Sequence, residues 1–106
     1  MKALSYDDVL LKPQYSDIKS RAEIDLTSDL GEGLILPCPI LSSPMDTVTQ
    51  SSMAIAMGKQ GGAGIIHRYN TIEQQGRQIQ MACDVGGAIN VGGAIGVTGD
   101  YLERAA

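Results

Sequence analysis

The sequence Gly61-Gly62-Ala63-Gly64-Ile65-Ile66-His67 decides the fold class, because it ends one kind of element and begins another. The glycine pair stops the amphipathic segment before it, as a left-handed cap does at the C-terminus of a helix. The apolar run that follows predicts a short buried strand. A helix followed directly by an apolar strand is typical of a parallel sheet whose faces are covered by helices.

The same alternation of strand and helix occurs three times between residues 37 and 106. Apolar runs predict buried strands at residues 39–43, 63–67 and 90–97. A closed (β/α)₈ barrel contains roughly 250 residues and eight strands. The 106 residues therefore predict part of an α/β fold rather than a closed one.

Each predicted helix begins near a threonine, whose hydroxyl can accept hydrogen bonds from free backbone N–H groups. The first helix has Thr47 or Thr49 as its cap and runs to about residue 60. The second begins at Thr71, which forms a capping box with Gln74, and runs to about residue 83. The third follows Thr98 and continues to Ala106.

Residues 1–36 predict an irregular lead-in to these three units. Residues 24–30 alternate apolar with polar side chains, which predicts a half-exposed strand. Gly31-Glu32-Gly33 predicts a turn, and a second short strand is expected at residues 34–36. The expected division is thus a lead-in over 1–36 and three β/α units over 37–106.

Composition and charge exclude several classes of function. The net charge is −4 and no cluster of Lys or Arg occurs, which argues against binding to nucleic acid. No apolar run approaches the roughly 20 residues that cross a membrane, and the N-terminus lacks a signal sequence, so we expect a cytoplasmic protein. Cys38 and Cys83 lack metal-ligand spacing, and we interpret both as small buried apolar residues. No metal ligands are predicted.

Polar loops follow the first two predicted strands. These loops are Ser42-Ser43-Pro44-Met45-Asp46-Thr47 and His67-Arg68-Tyr69-Asn70. Because the carboxyl ends of parallel strands meet at one rim, their hydroxyl, carboxylate, imidazole and guanidinium groups could bind a phosphorylated, hydroxyl-rich ligand. The alternatives are that Asp46 and Thr47 only cap the next helix, and that His67 is a structural, hydrogen-bonded histidine at a strand end.

Several long motifs, in order, resemble the IMP dehydrogenase and GMP reductase family. They begin with Asp7-Asp8-Val9-Leu10-Leu11-Lys12-Pro13 and continue with Ser42-Ser43-Pro44-Met45-Asp46-Thr47-Val48-Thr49. Gly61-Gly62-Ala63-Gly64-Ile65-Ile66-His67 and the segment 91–104 complete the match. The resemblance covers nearly the whole chain and implies the N-terminal portion of a (β/α)₈ TIM barrel.

In IMP dehydrogenase, which the chain resembles, IMP is oxidised to XMP with NAD, usually by a homotetramer and with a potassium ion. The resemblance implies that Ser43 and Met45 contact the purine mononucleotide and that His67 lies near the cofactor. The family's CBS regulatory modules usually lie between the second helix and the third strand. Here that gap spans only residues 84–90, so we expect no CBS domain.

GMP reductase, a member of the same family without CBS modules, is the alternative. The segment Lys19-Ser20-Arg21-Ala22-Glu23-Ile24-Asp25-Leu26 is more similar to that enzyme, which reduces GMP to IMP and ammonia with NADPH. The resemblance then implies that Ser20, Arg21 and Arg68 contact NADPH. The first strand loop and its helix favour the dehydrogenase.

The family's catalytic cysteine lies in a Gly-Ser-x-Cys-Thr loop, which these 106 residues do not contain. The covalent step requires that thiolate. We therefore assign no catalytic residue and expect the 106-residue chain, as an incomplete enzyme, to be inactive by itself. The remaining alternative is a non-catalytic partial barrel that associates with its own copies to cover open sheet edges.

Overall fold

A computed structural model describes residues 3–85, 87 and 89–106 of the chain. It contains a two-stranded hairpin in the lead-in and a three-stranded parallel sheet in which each strand is followed by a helix. The elements in chain order are β1 Ser28–Asp29, β2 Ile35–Leu36, β3 Leu41–Ser42, α1 Ser51–Lys59, β4 Ala63–Ile66, α2 Ile72–Cys83, β5 Asn90–Gly93 and α3 Tyr101–Ala105.

The parallel sheet has the order β3-β4-β5, so strands that are consecutive in sequence are neighbours in space. This arrangement confirms the predicted α/β class. The strands are shorter than predicted: β3 covers two of residues 39–43, and β5 ends at Gly93 instead of Val97. A parallel strand lasts only as long as its neighbour, and Gly93 pairs with Ile66, the last residue of β4.

The helix caps follow the prediction in one case out of three. Thr71 accepts a hydrogen bond from the Gln74 N–H at 3.2 Å, and the Gln74 side chain accepts one from the Thr71 N–H at 3.1 Å. This confirms the capping box of α2. The predictions for the other helices were wrong, because the residue at the N-cap is Gln50 in α1 and Asp100 in α3, and neither side chain caps its helix.

The N-terminus of α1 is capped from a neighbouring helix instead. Ser51 is buried, and its backbone N–H donates to the Gln78 Oε1 of α2 at 2.8 Å. Buried N–H groups need an acceptor, and here the acceptor is 27 residues away in sequence. No local sequence signal could reveal this cap.

A small aliphatic core joins the helices to the sheet. Its fully buried side chains are Ala54 of α1, Ile66 of β4 and Ala82 of α2. Three partly buried side chains pack against them: Ile55, Ile79 and Val91. Gly64 of β4 lies directly against Ala54 of α1, so helix and strand approach closely at this point. The core positions the C-terminal ends of β3, β4 and β5 at one rim.

The lead-in forms an antiparallel hairpin in which Ser28 pairs with Leu36. The strand predicted over residues 24–30 is present only at Ser28–Asp29. The turn between β1 and β2 holds Gly31, Glu32 and Gly33 at φ values of 97°, 52° and 79°. Glycine adopts these left-handed conformations readily, which explains its presence on both sides of Glu32.

The cysteine interpretation was wrong in both cases, since Cys38 is half-buried and Cys83 is exposed. Cys83 ends α2 on its solvent side, where the helical pattern does not require burial. The short segment expected in place of CBS modules includes Gly86 and Ala88, which lie outside the described residues. Within the described residues, no helix is long and apolar enough to span a membrane.

Candidate functional site

A polar cavity of ≈ 320 Å³ opens at the rim, beside the C-terminal end of β4. We call it the rim cavity. Its lining comes from the residue before α1, the loop after β4 and the first two turns of α2, and consists of Gln50, His67, Tyr69, Asn70, Gln74 and Gln78. Amide, imidazole and phenol groups supply both donors and acceptors, so the cavity suits a polar, uncharged portion of a ligand.

The loop after β3 is held from below by a buried hydroxyl. Thr49 is 0% exposed, and its Oγ1 donates to the backbone carbonyl of Ser43 at 2.6 Å. The same oxygen lies 2.9 Å from the hydroxyl of Ser42, which can donate to it. Sequence reasoning assigned Thr49 to a helix cap and therefore missed this function in shaping the loop.

Ser43 and Met45, the two predicted nucleotide contacts, lie in this loop and are exposed. Neither lines the rim cavity, although both belong to the same rim because β3 and β4 are parallel neighbours. Asp46 and Thr47 are also exposed. They do not cap α1, so the alternative that treated them as plain capping residues was wrong.

His67 lies directly after β4 and is only 4% exposed. Its Nδ1 accepts a hydrogen bond from the backbone N–H of Tyr69 at 3.2 Å, and the two rings stack with centroids 6.2 Å apart. Because a backbone N–H can only donate, the neutral imidazole carries its proton on Nε2. His67 is thus a hydrogen-bonded histidine at a strand end and also part of the cavity lining.

Arg68 does not line the rim cavity, and its guanidinium lies beside the segment after β5. Its guanidinium carbon lies 6.0 Å from the centre of the Tyr69 ring. A Cβ atom added at Gly96 would lie 2.8 Å from Arg68 Nη1, so the absence of a side chain there leaves room for the guanidinium. Arg68 itself is exposed and available to an anionic group.

Ser20 and Arg21 lie in the exposed lead-in. The Ser20 hydroxyl accepts from the Ala22 N–H at 3.2 Å, at the start of a short 3₁₀ turn. Among the described residues, no hydrogen bond connects either side chain to the rim. The structure therefore brings His67 and Arg68 into one loop and leaves Ser20 and Arg21 apart from them.

A network of buried polar groups that the sequence did not reveal lies beneath the loop after β4. Gln75 of α2 is 3% exposed and donates from Nε2 to the carbonyls of Ile66 and Ala94, at 3.3 and 2.9 Å. Arg104 of α3 donates to Gln75 Oε1 at 3.0 Å and to the Asn70 carbonyl at 3.1 Å. These bonds join the ends of β4 and β5 to α2 and α3.

Asp100 completes this network at the surface. Its Oδ2 lies 2.8 Å from Arg104 Nη2, forming an ion pair. The hydrogen bond from Arg104 is the main cause that holds the pKa of Asp100 below its ordinary value of 3.8. Among residues 3–85, 87 and 89–106, no group of three or more His, Cys, Asp or Glu side chains could hold a metal ion.

The fold and the rim define the class of protein: an α/β barrel segment whose polar loops follow the strands. A solved structure of inosine 5'-monophosphate dehydrogenase from Legionella pneumophila superimposes with a TM-score of 0.78 and 38% sequence identity. The match covers 98% of this chain and 31% of that one. The three strands described here therefore correspond to part of a TIM barrel.

The family model described as "IMP dehydrogenase / GMP reductase domain" matches residues 3–106. The chain belongs to this family. Inosine-5'-monophosphate dehydrogenase of Nitrosopumilus maritimus is 51% identical over 78 residues, and that of Bacillus subtilis is 50% identical over 78 residues. Each match covers 74% of this chain but only 16% of the relative, so the chain spans about one sixth of their length.

Proposed function

We propose that this chain forms the nucleotide rim of an IMP dehydrogenase, which oxidises IMP to XMP with NAD and water and releases NADH and a proton. One observation carries the proposal: the loop after β3, which Thr49 holds at Ser43, and the rim cavity, which His67 lines, lie next to each other on one rim. The identities of 50% and 51% to proteins of that name support the choice of reaction. The same resemblance suggests a cytoplasmic homotetramer that uses a potassium ion.

Within this proposal, Ser43 and Met45 bind the purine mononucleotide. The Ser43 hydroxyl supplies a donor and an acceptor, and the exposed Met45 thioether supplies a polarisable apolar surface for a flat base. Thr49 acts indirectly, because it fixes the carbonyl of Ser43 and hence the direction of the loop. We therefore expect substitutions of Thr49 to weaken nucleotide binding, although Thr49 itself does not contact the nucleotide.

His67 is proposed to contact NAD, which accepts a hydride when bound. The residues fit one part of this cofactor, since small-molecule sites occupy roughly 300–1,000 Å³ and the rim cavity is at the lower end. The Nε2–H of His67 is free of the Tyr69 bond and can donate to a carbonyl or hydroxyl oxygen of the cofactor. No potassium ligand is assigned to residues of this chain.

A chimera tests the proposal most directly. The matching 78-residue segment of the Bacillus subtilis relative is replaced by the corresponding residues of this chain, and IMP-dependent formation of NADH is measured. We expect the chimera to be active, and Ser43→Ala in it to raise the KM for IMP. An inactive chimera that is folded and has the same association state as its parent would contradict the proposed rim.

The 106-residue chain alone is expected to form no NADH from IMP and NAD. The catalytic thiolate of the family lies in a sequence setting that these residues lack, and a covalent intermediate requires it. The assay uses the purified chain and the active chimera side by side. Product formed by the chain alone would overturn this expectation.

GMP reductase is the second candidate. Arg68 is exposed at the rim, where its guanidinium could bind the additional phosphate of NADPH. Ser20 and Arg21 would contribute from the lead-in. If this candidate is correct, a chimera built on a GMP reductase scaffold is active with GMP and NADPH, whereas the IMP dehydrogenase chimera is not.

A self-associating partial barrel is the third candidate. It is favoured by the large apolar side chains of the lead-in that remain exposed, among them Leu10 and Leu11 at 97% and 98%. Such surfaces mark sites of protein association. Its test is the association state of the chain in solution, measured by sedimentation velocity.

A further inference from the structure

We propose that Arg104 and Gln75 are positioning residues that fix the loop of residues 67–70 and thereby the tautomer that His67 presents to the rim cavity. Neither residue lines the cavity, and neither was singled out by the sequence. As far as it concerns the ligand, the inference rests on the proposed function. As far as it concerns the loop, it stands on hydrogen-bond geometry alone.

Gln75 fixes the point where the loop begins. Its Nε2 donates to the carbonyl of Ile66, the last residue of β4, at 3.3 Å, and to that of Ala94 at 2.9 Å. Both carbonyls lie where the parallel strand pair ends. The Ile66 carbonyl also accepts the Ala94 N–H at 2.9 Å, so Gln75 supplies a second donor at this point. Because Gln75 is only 3% exposed, loss of these bonds would leave buried polar groups without partners, so its amide is held in one orientation.

Arg104 fixes the point where the loop ends. Its Nη2 donates to the carbonyl of Asn70 at 3.1 Å, and its Nη1 lies 3.5 Å from Asn70 Oδ1. The same guanidinium donates to Gln75 Oε1 at 3.0 Å and to Asp100 at 2.8 Å. Its side chain is only 8% exposed. A planar fork of five donors can serve these acceptors together, whereas the single ammonium of lysine cannot.

His67 lies between these two fixed points. With Ile66 and Asn70 both held, only three residues remain to form the loop, and its path brings the Tyr69 N–H to His67 Nδ1 at 3.2 Å. That bond leaves Nε2–H as the donor available to a ligand in the rim cavity. A loop released at Asn70 would lose the Tyr69 bond and allow both imidazole tautomers.

The chain contains one histidine, so its imidazole nitrogens can be observed without ambiguity. The test records nitrogen–proton correlation spectra of the ¹⁵N-labelled chain at alkaline pH, where imidazole is neutral. We expect the unchanged chain to show the Nε2–H tautomer alone. Arg104→Met and Arg104→Lys are expected to shift both nitrogen signals toward the average of the two tautomers.

Arg77→Met is the matched control, because Arg77 is an exposed arginine of α2 whose side chain makes no hydrogen bond within the part of the chain that the structure describes. It should leave the His67 signals unchanged. Arg104→Lys keeps the positive charge and the helical preference, so it remains informative if Arg104→Met fails to fold. Unchanged nitrogen signals in a folded Arg104 variant would overturn the proposal, because they would show that the loop needs no support from Arg104.

Titration with NAD separates this inference from the proposed function. We expect NAD to shift the His67 signals of the unchanged chain. In Arg104→Lys, the NAD concentration that gives half of the shift should rise roughly tenfold, which corresponds to the loss of one charge-assisted hydrogen bond. If NAD shifts nothing in the unchanged chain, the cofactor part of the proposed function fails. The tautomer comparison still decides whether Arg104 positions the loop.

Discussion

The hydroxyl of Thr49 shows how a single residue can determine the shape of a binding loop. It is buried beneath the segment that carries Ser43 and Met45, and it donates to the Ser43 carbonyl. The Ser43 carbonyl also accepts the Met45 N–H at 2.8 Å, but the Thr49 hydroxyl is fully buried and a buried hydroxyl without a partner is costly, so the loop prefers the conformation in which this bond forms. The geometry of the predicted nucleotide contacts thus depends on a residue that cannot reach the nucleotide.

Thr49→Val is therefore expected to lower the free energy of unfolding by about 1–3 kcal/mol, since valine keeps the shape but removes one of the two donors to the Ser43 carbonyl and leaves the buried Ser42 hydroxyl without its partner. Thr49→Ser should retain most of the stability because it keeps the hydroxyl. Thr47→Val, at an exposed position in the same loop, is the control and should change stability little. Urea denaturation measures all three, and equal stability of the Thr49 and Thr47 valine variants would contradict the explanation.

Asp100 provides a second prediction at the scale of the residue. Its pKa is lowered in the folded chain, chiefly by the hydrogen bond from Arg104. Because the carboxyl pKa is lowered, the interaction stabilises the fold at pH values above 3.8, the ordinary pKa of this group. The stabilisation is lost as the pH falls through the pKa of Asp100 in the folded chain. Acid therefore weakens the ion pair between Asp100 and Arg104 at the start of α3.

The carboxyl ¹³C signal of Asp100, followed by NMR as a function of pH, should titrate below 3.8 in the unchanged chain. In Arg104→Met the midpoint should return toward the ordinary value, because the main cause of the shift is removed. Arg77→Met should leave the midpoint of Asp100 where it is. A midpoint that is unaffected by loss of Arg104 would show that the ion pair does not form in solution.

At the scale of elements, the packing of α1 on β4 depends on a missing side chain. A Cβ atom added at Gly64 would meet the Cα of Ala54, and would lie 2.6 Å from its Cβ. Both residues lie on rigid elements, and Ala54 is fully buried. The helix cannot move away without opening the core that it shares with Ile66.

Gly64→Ala should lower the free energy of unfolding by about 1–3 kcal/mol or more, as expected for overpacking against backbone. Gly76→Ala is the matched control in α2, because nothing lies within 4 Å of the added Cβ. Alanine is favoured over glycine within a helix by roughly 0.5–1 kcal/mol, so this variant should be stabilised. Thermal unfolding measures both, and a shift of the same sign in the two variants would contradict the packing explanation.

At the scale of the whole molecule, the chain is more extended than its length requires. The radius of gyration is 17.4 Å, whereas a compact domain of this length has about 13 Å. The difference arises in the lead-in, where Tyr6, Leu10 and Leu11 are each at least 97% exposed. These side chains are typical of a surface that another part of a protein covers.

The chain is therefore expected to associate with increasing concentration in sedimentation velocity experiments. The double variant Leu10→Asp/Leu11→Asp should sediment as a monomer over the same range, because the charges prevent burial of this apolar surface. Ser16→Asp, also in the exposed lead-in, is the control for added charge and should associate like the unchanged chain. Association that persists in the double variant would place the contact elsewhere, such as at an open edge of the sheet.

The sequence by itself determined the order of strands and helices, the capping box of Thr71 and Gln74, and the rim position of His67. These features depend on residues within a few positions of one another, and hydrophobic periodicity and capping chemistry are local. The family followed from long motifs in order. The predicted roles of Ser43, Met45, Ser20, Arg21 and Arg68 stay predictions.

Only the tertiary structure decided where the strands end, which groups Thr49 and Gln78 satisfy, and how Arg104 reaches Asn70. Strand length depends on the neighbouring strand, and Gln78 and Arg104 act on residues 27 and 34 positions away. Such pairings depend on which buried polar atoms the packing leaves without a partner. A sequence lists the available donors and acceptors, but the folded chain determines which of them meet.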